Sequence, residues 1–500
     1  MSELYKAGST RRGPLTSRRN FMRAALAGAA AAALPGFLMR PVMAQALPAG
    51  VGEAGRRTLI KGGHILTLDP AIGDFTGDVL IEGRKILQVA PSIDASDAAV
   101  IEAAGRIVMP GFIDTHHHQF ETALRSFLPN GIMFPDPTRE GEPDYLGDIL
   151  GKFSKVFRPD DVYIAQLFGG LSQLDAGVTT ALDVSQVHHS PEHSNALIEG
   201  MKAAGRRGVF GYFEGYGPDM AYPMDARRIR DEYFASDDQL LGMLMGGEAY
   251  LDGIDPLDLW NIGKELDLQI GLHVVGSLGM RETMDKLIPY YTDKHLFIHM
   301  TGMSDAAWNR AKEVGAHVSL SVPIEMQMRH GMPPIQKAID MGMDPSLSVD
   351  VEVTMTADFF TQMRSTMTLQ RAFANQAALE QGPENAPKLL SSYDVIEFAT
   401  INGAKGLNLH HKTGSLTPGK EADIILLDAQ ALNVAPLNNV AGAVVTLMER
   451  SNVETVLVAG QIKKWKGSLV GQDIPALRDR IMASRDYLFD AAGVEIPLFK

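Results

Sequence analysis

The sequence predicts an α/β architecture: a (β/α)8 barrel, the TIM barrel, with a small β-sandwich domain formed from both chain ends. Three observations predict it. From about residue 110 to 405, short apolar strand-like runs alternate with helical stretches, eight units in order. Short apolar runs separated by Gly-containing turns flank this centre on both sides. Histidines and one aspartate close several of the central runs, at the strand ends where such barrels carry their chemistry.

The chain of 500 residues opens on a distinct segment. Residues 1–44 hold seven Lys and Arg against one acid, so the rest of the chain carries −20 where the whole carries −14. Ser17-Arg18-Arg19-Asn20-Phe21-Met22 is followed by the apolar run Ala24–Leu38 and by small residues ending at Ala44. That order resembles a bacterial twin-arginine signal. The resemblance implies the twin-arginine export machinery as a partner, cleavage before Gln45, and a folded protein in the periplasm or outside the cell. The apolar run is shorter than the ~20 residues of a membrane-spanning helix, and the mature form is expected to have no stable membrane span.

Residues 45–108 form the first part of the expected sandwich, with runs at Thr58–Ile65, Asp78–Ile81, Lys85–Val89 and Ile107–Met109. Residues 409–500 form the second part and a C-terminal helix, with runs at Asp423–Leu427, Val444–Met448, Val453–Val458 and Gln461–Trp465. Between them, 109–408, lies the barrel. Its expected strands are Gly111–Thr115, Thr179–Val184, Val209–Phe213, Leu241–Met245, Gln269–His273, Leu296–His299, His317–Val322 and Ser346–Val349. Helical stretches such as Pro191–Ala204, Pro256–Leu266 and Ser304–Val314 separate them. Leu128–Lys152, rich in Pro, Gly and Asp, reads as a lid or edge loop, because long ordered loops tend to be functional.

The chain has no Cys, which excludes disulfides, zinc–thiolate sites, iron–sulfur clusters and cysteine nucleophiles. Its acidity argues against a nucleic-acid surface. Homo-oligomers are common among soluble enzymes, and such an assembly is allowed for here.

The strand ends supply the donors. Asp114-Thr115-His116-His117-His118 closes the first strand, and side chains two apart on a strand share a face, so His116 and His118 project together. His273 closes the fifth strand, His299 the sixth, and Asp350 follows the eighth. Imidazoles with a carboxylate suit one divalent ion, zinc first, with iron and manganese also compatible.

Pro110-Gly-Phe-Ile-Asp-Thr-His-His-His118, His273, His299, Asp350 and the tail Gly414–Asp428 together resemble the amidohydrolase superfamily, closest to its cytosine-deaminase and chlorohydrolase-like branch. The resemblance implies a metal held by His116, His118, His273 and Asp350. It implies that Asp350 takes the proton of a metal-activated water, and that His299 holds or polarises substrate and water. The expected enzyme is a hydrolase of a non-peptide carbon–nitrogen bond in a small, cyclic or aromatic substrate. The alternative is an aromatic-amine deaminase with a relocated proton shuttle. A catalytically inactive binding subunit is the third reading.

Two departures bear on this choice. Deaminases of the branch commonly carry His-x-x-Glu on strand five, and here the run is His273-Val-Val-Gly276. Binuclear members often use a carboxylated Lys after strand four, and here the run is Met245-Gly-Gly-Glu248, which favours one ion. Glu248 reads as a structural carboxylate before a bridging ligand. Glu325 and Glu121 are candidate substrate-side carboxylates, with Glu214 as a further substitute acid. His188, in the loop after strand two, is a candidate for lining the substrate, and Asp183 reads as a supporting residue.

Overall fold

The computed structural model describes residues 46–52 and 55–499. The twin-arginine motif and the expected cleavage site lie outside the described residues. Among the described residues no helix is long and apolar enough to cross a membrane.

The N-terminal flank gives five strands: β1 (Arg57–Ile65), β2 (Phe75–Glu82), β3 (Lys85–Ala90), β4 (Ala99–Glu102) and β5 (Arg106–Pro110). Eight central strands follow: β6 (Phe112–His117), β7 (Val178–Ser185), β8 (Arg207–Tyr212), β9 (Leu241–Gly246), β10 (Gln269–His273), β11 (His295–Ile298), β12 (His317–Leu320) and β13 (Ser346–Leu347). The C-terminal flank adds β14 (Ile424–Asp428), β15 (Val453–Val458), β16 (Gln461–Trp465) and β17 (Ser468–Leu469).

Strands β6 to β13 form one sheet in sequence order, and every neighbouring pair is parallel. A parallel bridge between His117 and Asp350 joins its two ends, so the sheet is an almost closed barrel. The Asp350 N–H donates to the His116 carbonyl at 2.9 Å and the His118 N–H to the Asp350 carbonyl at 2.8 Å. The seam therefore closes on three of the residues picked out above.

The strands read as they do because both faces are covered. All eight residues of β7, Val-Thr-Thr-Ala-Leu-Asp-Val-Ser, are buried, as expected for a parallel strand flanked by helices. The helices Pro159–Asp175, Pro191–Ala204 and Pro256–Glu265 start on proline, whose missing N–H costs nothing in the first turn. Gly205 and Gly315 end helices in the left-handed conformation that glycine adopts freely.

Both flanks contribute to a second, nine-stranded sheet. Its join is β5 against β14, antiparallel from Arg106 with Asp428 to Pro110 with Ile424. Directly after β5 the chain turns at Gly111 into the barrel. A Cβ there would stand 2.2 Å from the Thr179 side chain, so only glycine fits.

One expected strand is not a strand. Val444–Met448 falls in and after the helix Val440–Thr446, whose first turn is capped by the Asn439 side chain accepting the Gly442 N–H. The cap starts a helix that the β-branched residues alone do not signal.

A buried ion cluster ties the barrel to the flank sheet. Arg207, at the start of β8, donates to Asp423 at 2.6 Å and to Glu421 at 2.5 Å, just ahead of β14. Glu421 also accepts from Arg84 at 2.9 Å.

Candidate active site

The barrel places His116 and His118 on one side of β6, and His117 on the other, facing Asp114 at 3.6 Å and Glu352 at 3.7 Å. His273 ends β10, His299 follows β11 and Asp350 follows β13. All five site residues are buried. The Nε2 atoms of His116, His118 and His273 lie 3.0, 3.1 and 3.3 Å from one another. Asp350 Oδ1 stands 3.5 Å from His118 Nε2 and 3.8 Å from His116 Nε2, while Oδ2 stands 3.4 Å from His299 Nε2.

This donor set fits a cation. The His273 Nδ1 faces Glu248 at 2.6 Å, so its proton sits on Nδ1 and Nε2 presents a lone pair. Three imidazole nitrogens this close cannot all share protons. Around a tetrahedral ion with metal–nitrogen bonds of about 2.0–2.1 Å, nitrogens stand about 3.3 Å apart, close to the spacing found. Burial, and then the neighbouring imidazoles, hold His116 and His118 well below the usual histidine range, in the neutral form that binds metal. Burial raises Asp350 to about 7, where a base can work near neutrality.

His299 and Asp350 both adopt left-handed backbone, with φ of 70° and 71°. Such conformations cost on the order of 1–3 kcal/mol and persist where surrounding bonds over-determine them. Here those bonds are the two seam hydrogen bonds at Asp350 and the His299 N–H to the Ser319 carbonyl at 2.8 Å.

Glu325 and Glu121, singled out by sequence, sit behind His299 and Tyr145. Glu325 Oε1 sits 3.1 Å from His299 Nδ1 and accepts the Ser321 N–H at 2.9 Å. Because Oε1 already accepts one N–H, it takes the His299 Nδ1 proton as well, leaving His299 Nε2 an acceptor. Glu121 accepts the Tyr145 hydroxyl at 2.8 Å. His188 packs on Phe210 and Tyr212, with Nδ1 on the Ser194 hydroxyl at 2.9 Å. Glu121, Glu325 and His188, the expected substrate-side residues, are buried against protein groups, and the cavity is lined by other residues. Asp183 braces strands through Gln166 and Ser185.

Two residues take roles that the sequence does not specify. Glu248 is the carboxylate that orients His273, and it also accepts the His273 backbone N–H. His330, in a Met-rich stretch that reads as packing, stands edge-on to His299 with ring centres 4.6 Å apart. At Gly276 a Cβ would stand 2.9 Å from the Thr301 carbonyl oxygen and 3.0 Å from Gly302 Cα. Backbone fills the space, so the acid of the deaminase pattern has no room there.

Glu248→Gln tests the orienting role. It should weaken metal affinity about 10–100-fold, as loss of a carboxylate behind a ligating histidine does elsewhere. Competition with a chromophoric chelator reads this directly, and unchanged affinity contradicts the assignment.

The site opens into a cavity of about 280 Å³. Tyr145, Leu146 and Leu150 reach it from the 128–152 segment, Gln186 from the loop after β7 and Tyr250 from the loop after β9. The segment expected to be a lid or edge loop therefore forms part of the wall.

The amidohydrolase family profile matches residues 107–463. The chain belongs to the amidohydrolase family. It is an enzyme, a hydrolase of carbon–nitrogen bonds. The amidohydrolase is 24% identical over 429 residues to a 5′-deoxyadenosine deaminase of Methanococcoides burtonii, covering 81% of this chain and 91% of that one. It is 24% identical over 440 residues to a 5-methylthioadenosine/S-adenosylhomocysteine deaminase of Caldicellulosiruptor saccharolyticus, covering 84% and 96%. Among solved structures, it resembles a zinc-bound adenosine deaminase from Xanthomonas campestris (TM-score 0.75, 20% identity, 87% and 99% covered). It also resembles an atrazine chlorohydrolase from Arthrobacter aurescens complexed with zinc (TM-score 0.72, 19% identity, 86% and 100% covered).

Proposed function

We propose that this amidohydrolase cleaves a non-peptide carbon–nitrogen bond of a small, ring-bearing molecule, using one divalent ion, zinc first. The observation that carries the reading is the convergence of the His116, His118 and His273 Nε2 atoms beside Asp350 at the floor of the cavity. A divalent ion held by these four residues would supply Lewis acidity and lower the pKa of a nearby water toward about 7. One ion is favoured because Glu248, the acid after strand four, is engaged with His273.

The chain's own groups divide the proton work. Asp350, facing His299 with one oxygen and the imidazole cluster with the other, accepts the proton of the attacking water. His299 Nε2, fixed as an acceptor by Glu325, holds the water's second O–H and so aims a lone pair at the substrate carbon. Asp350 then returns the proton to the departing nitrogen.

The second reading is deamination of an aromatic amine. The names of the relatives favour it. Gly276 weighs against it, because the acid that would protonate a ring nitrogen is missing. Product analysis decides: the first reading expects an amine or a ring-opened acid, and free ammonia as the sole nitrogen product supports the second.

Three further parts of the reading rest on sequence and packing. The twin-arginine leader supports export in folded form through that machinery, to the periplasm or beyond. The organisation proposed is a leader at 1–44, a barrel at 109–408, and flanks at 45–108 and 409–500 that make one domain. Ile86 of β3 and Trp465 of β16, from opposite ends of the nine-stranded sheet, share one apolar cluster, which supports a sandwich-like folding of that sheet.

A further inference from the structure

We propose that the site selects an uncharged, largely apolar substrate that presents one N–H donor to Gln186. This deepens the carbon–nitrogen hydrolase reading and rests on it for the reaction, though not for the preference in binding.

Much of the wall is apolar. Leu146 and Leu150 come from one turn of the 128–152 segment, Val275 and Leu278 from the loop after β10, and Ile324 and Met328 from beyond β12. Leu146, Leu150 and Leu278 are half-buried and form the rim. Among the described residues the cavity is lined by no Lys or Arg, and Asp350 is its one carboxylate. Arg329, between the wall residues Met328 and His330 in sequence, is paired with Asp136. Beyond the proposed divalent ion at its floor, the cavity offers no counter-charge, so a carboxylate or phosphate on the part of the substrate that lies against the apolar walls would be costly to bind. At about 280 Å³, the space is also at the small end of ligand pockets, which run from about 300 to 1,000 Å³.

The polar edge is one built cluster. The Tyr250 hydroxyl donates to Glu214 Oε1 at 2.8 Å, and Gln186 Nε2 donates to Tyr250 at 3.1 Å and to Glu214 at 3.3 Å. Glu214 Oε1 accepts from both groups, so the Gln186 amide lies with its nitrogen toward Glu214. Its other atom, Oε1, is buried and has no partner. A buried acceptor left without a donor is costly, and a ligand N–H would recover that cost. His330 lines the same cavity with both ring nitrogens unpartnered, and adds one donor and one acceptor near the reacting end.

The test is a matched series on the metal-loaded enzyme. It comprises a neutral secondary anilide, the same anilide carrying a carboxylate on its ring, its N-methylated analogue, and 5′-deoxyadenosine. Binding of unreactive analogues of each is measured in parallel by calorimetry. The neutral N–H compound should bind and turn over at least about 100-fold better than the carboxylate. Leu278→Lys, at the half-buried rim, should narrow or reverse that ratio. Gln186→Leu should raise KM for the N–H compound about tenfold and leave the N-methylated one unchanged, with metal content intact. Equal or better binding of the carboxylate or of 5′-deoxyadenosine overturns the proposal, as does a Gln186→Leu variant that treats both anilides as the wild type does. If no compound is hydrolysed while neutral analogues still bind preferentially, the reaction reading fails and the substrate preference stands.

Discussion

Asp350→Asn is expected to lower kcat by about 10²- to 10⁴-fold, the usual contribution of a general base. The substitution keeps size and shape. It also keeps the backbone: asparagine tolerates the left-handed φ of 71° found here, and the hydrogen bonds to His116 and His118 come from the main chain. What is lost is the ability to take a proton from the attacking water, along with one negative charge beside the imidazole cluster. The loss should fall on kcat with KM little changed, measured at saturating metal, and the acid limb of the rate profile should vanish. A variant within about twofold of wild type would remove Asp350 from the chemistry.

Arg207→Met is expected to cost about 3–5 kcal/mol of stability, because it breaks a buried ion pair from one side. Arg207 is 1% exposed, and Asp423, which it holds with two nitrogens, is 2% exposed. Glu421 keeps Arg84 as a partner, so most of the cost lies with Asp423, left with only the Ala459 N–H at 2.7 Å. The denaturation midpoint measures the loss. Adding Asp423→Asn should restore part of it, since the stranded charge goes while an acceptor for Ala459 remains. Full wild-type stability in the single variant contradicts this account of how the barrel is tied to the flank sheet.

Much of the site was legible because a barrel turns one-dimensional pattern into position. Strand ends converge on one face, so His116, His118, His273, His299 and Asp350 could be read as a cluster from their place in eight periodic units. The residues behind them were not legible in the same way. Glu248 and Glu325 lie just past strand ends, where no period fixes which way a side chain faces. Their roles appear only when His273 and His299 are seen to present Nδ1 to them. His330 sits in a loop of methionines, and its approach to His299 is a tertiary contact with no local signal. Gly276 was visible as a missing acid, but the reason, the packed backbone of Thr301 and Gly302, was not. Val444–Met448 misled for a related reason: β-branched composition reads as strand, while the cap at Asn439 decides for helix.

His116, His118, His273 and Asp350 are proposed to hold one catalytic divalent ion. The most direct measurement is the metal content of the purified, active protein by mass spectrometry, before and after chelation, alongside carbon–nitrogen hydrolysis. About one divalent ion per chain is expected, with parallel loss of ion and activity on chelation and recovery of both when the ion is returned. Full hydrolysis by metal-free protein, or a His116→Ala variant that keeps both ion and turnover, would contradict it.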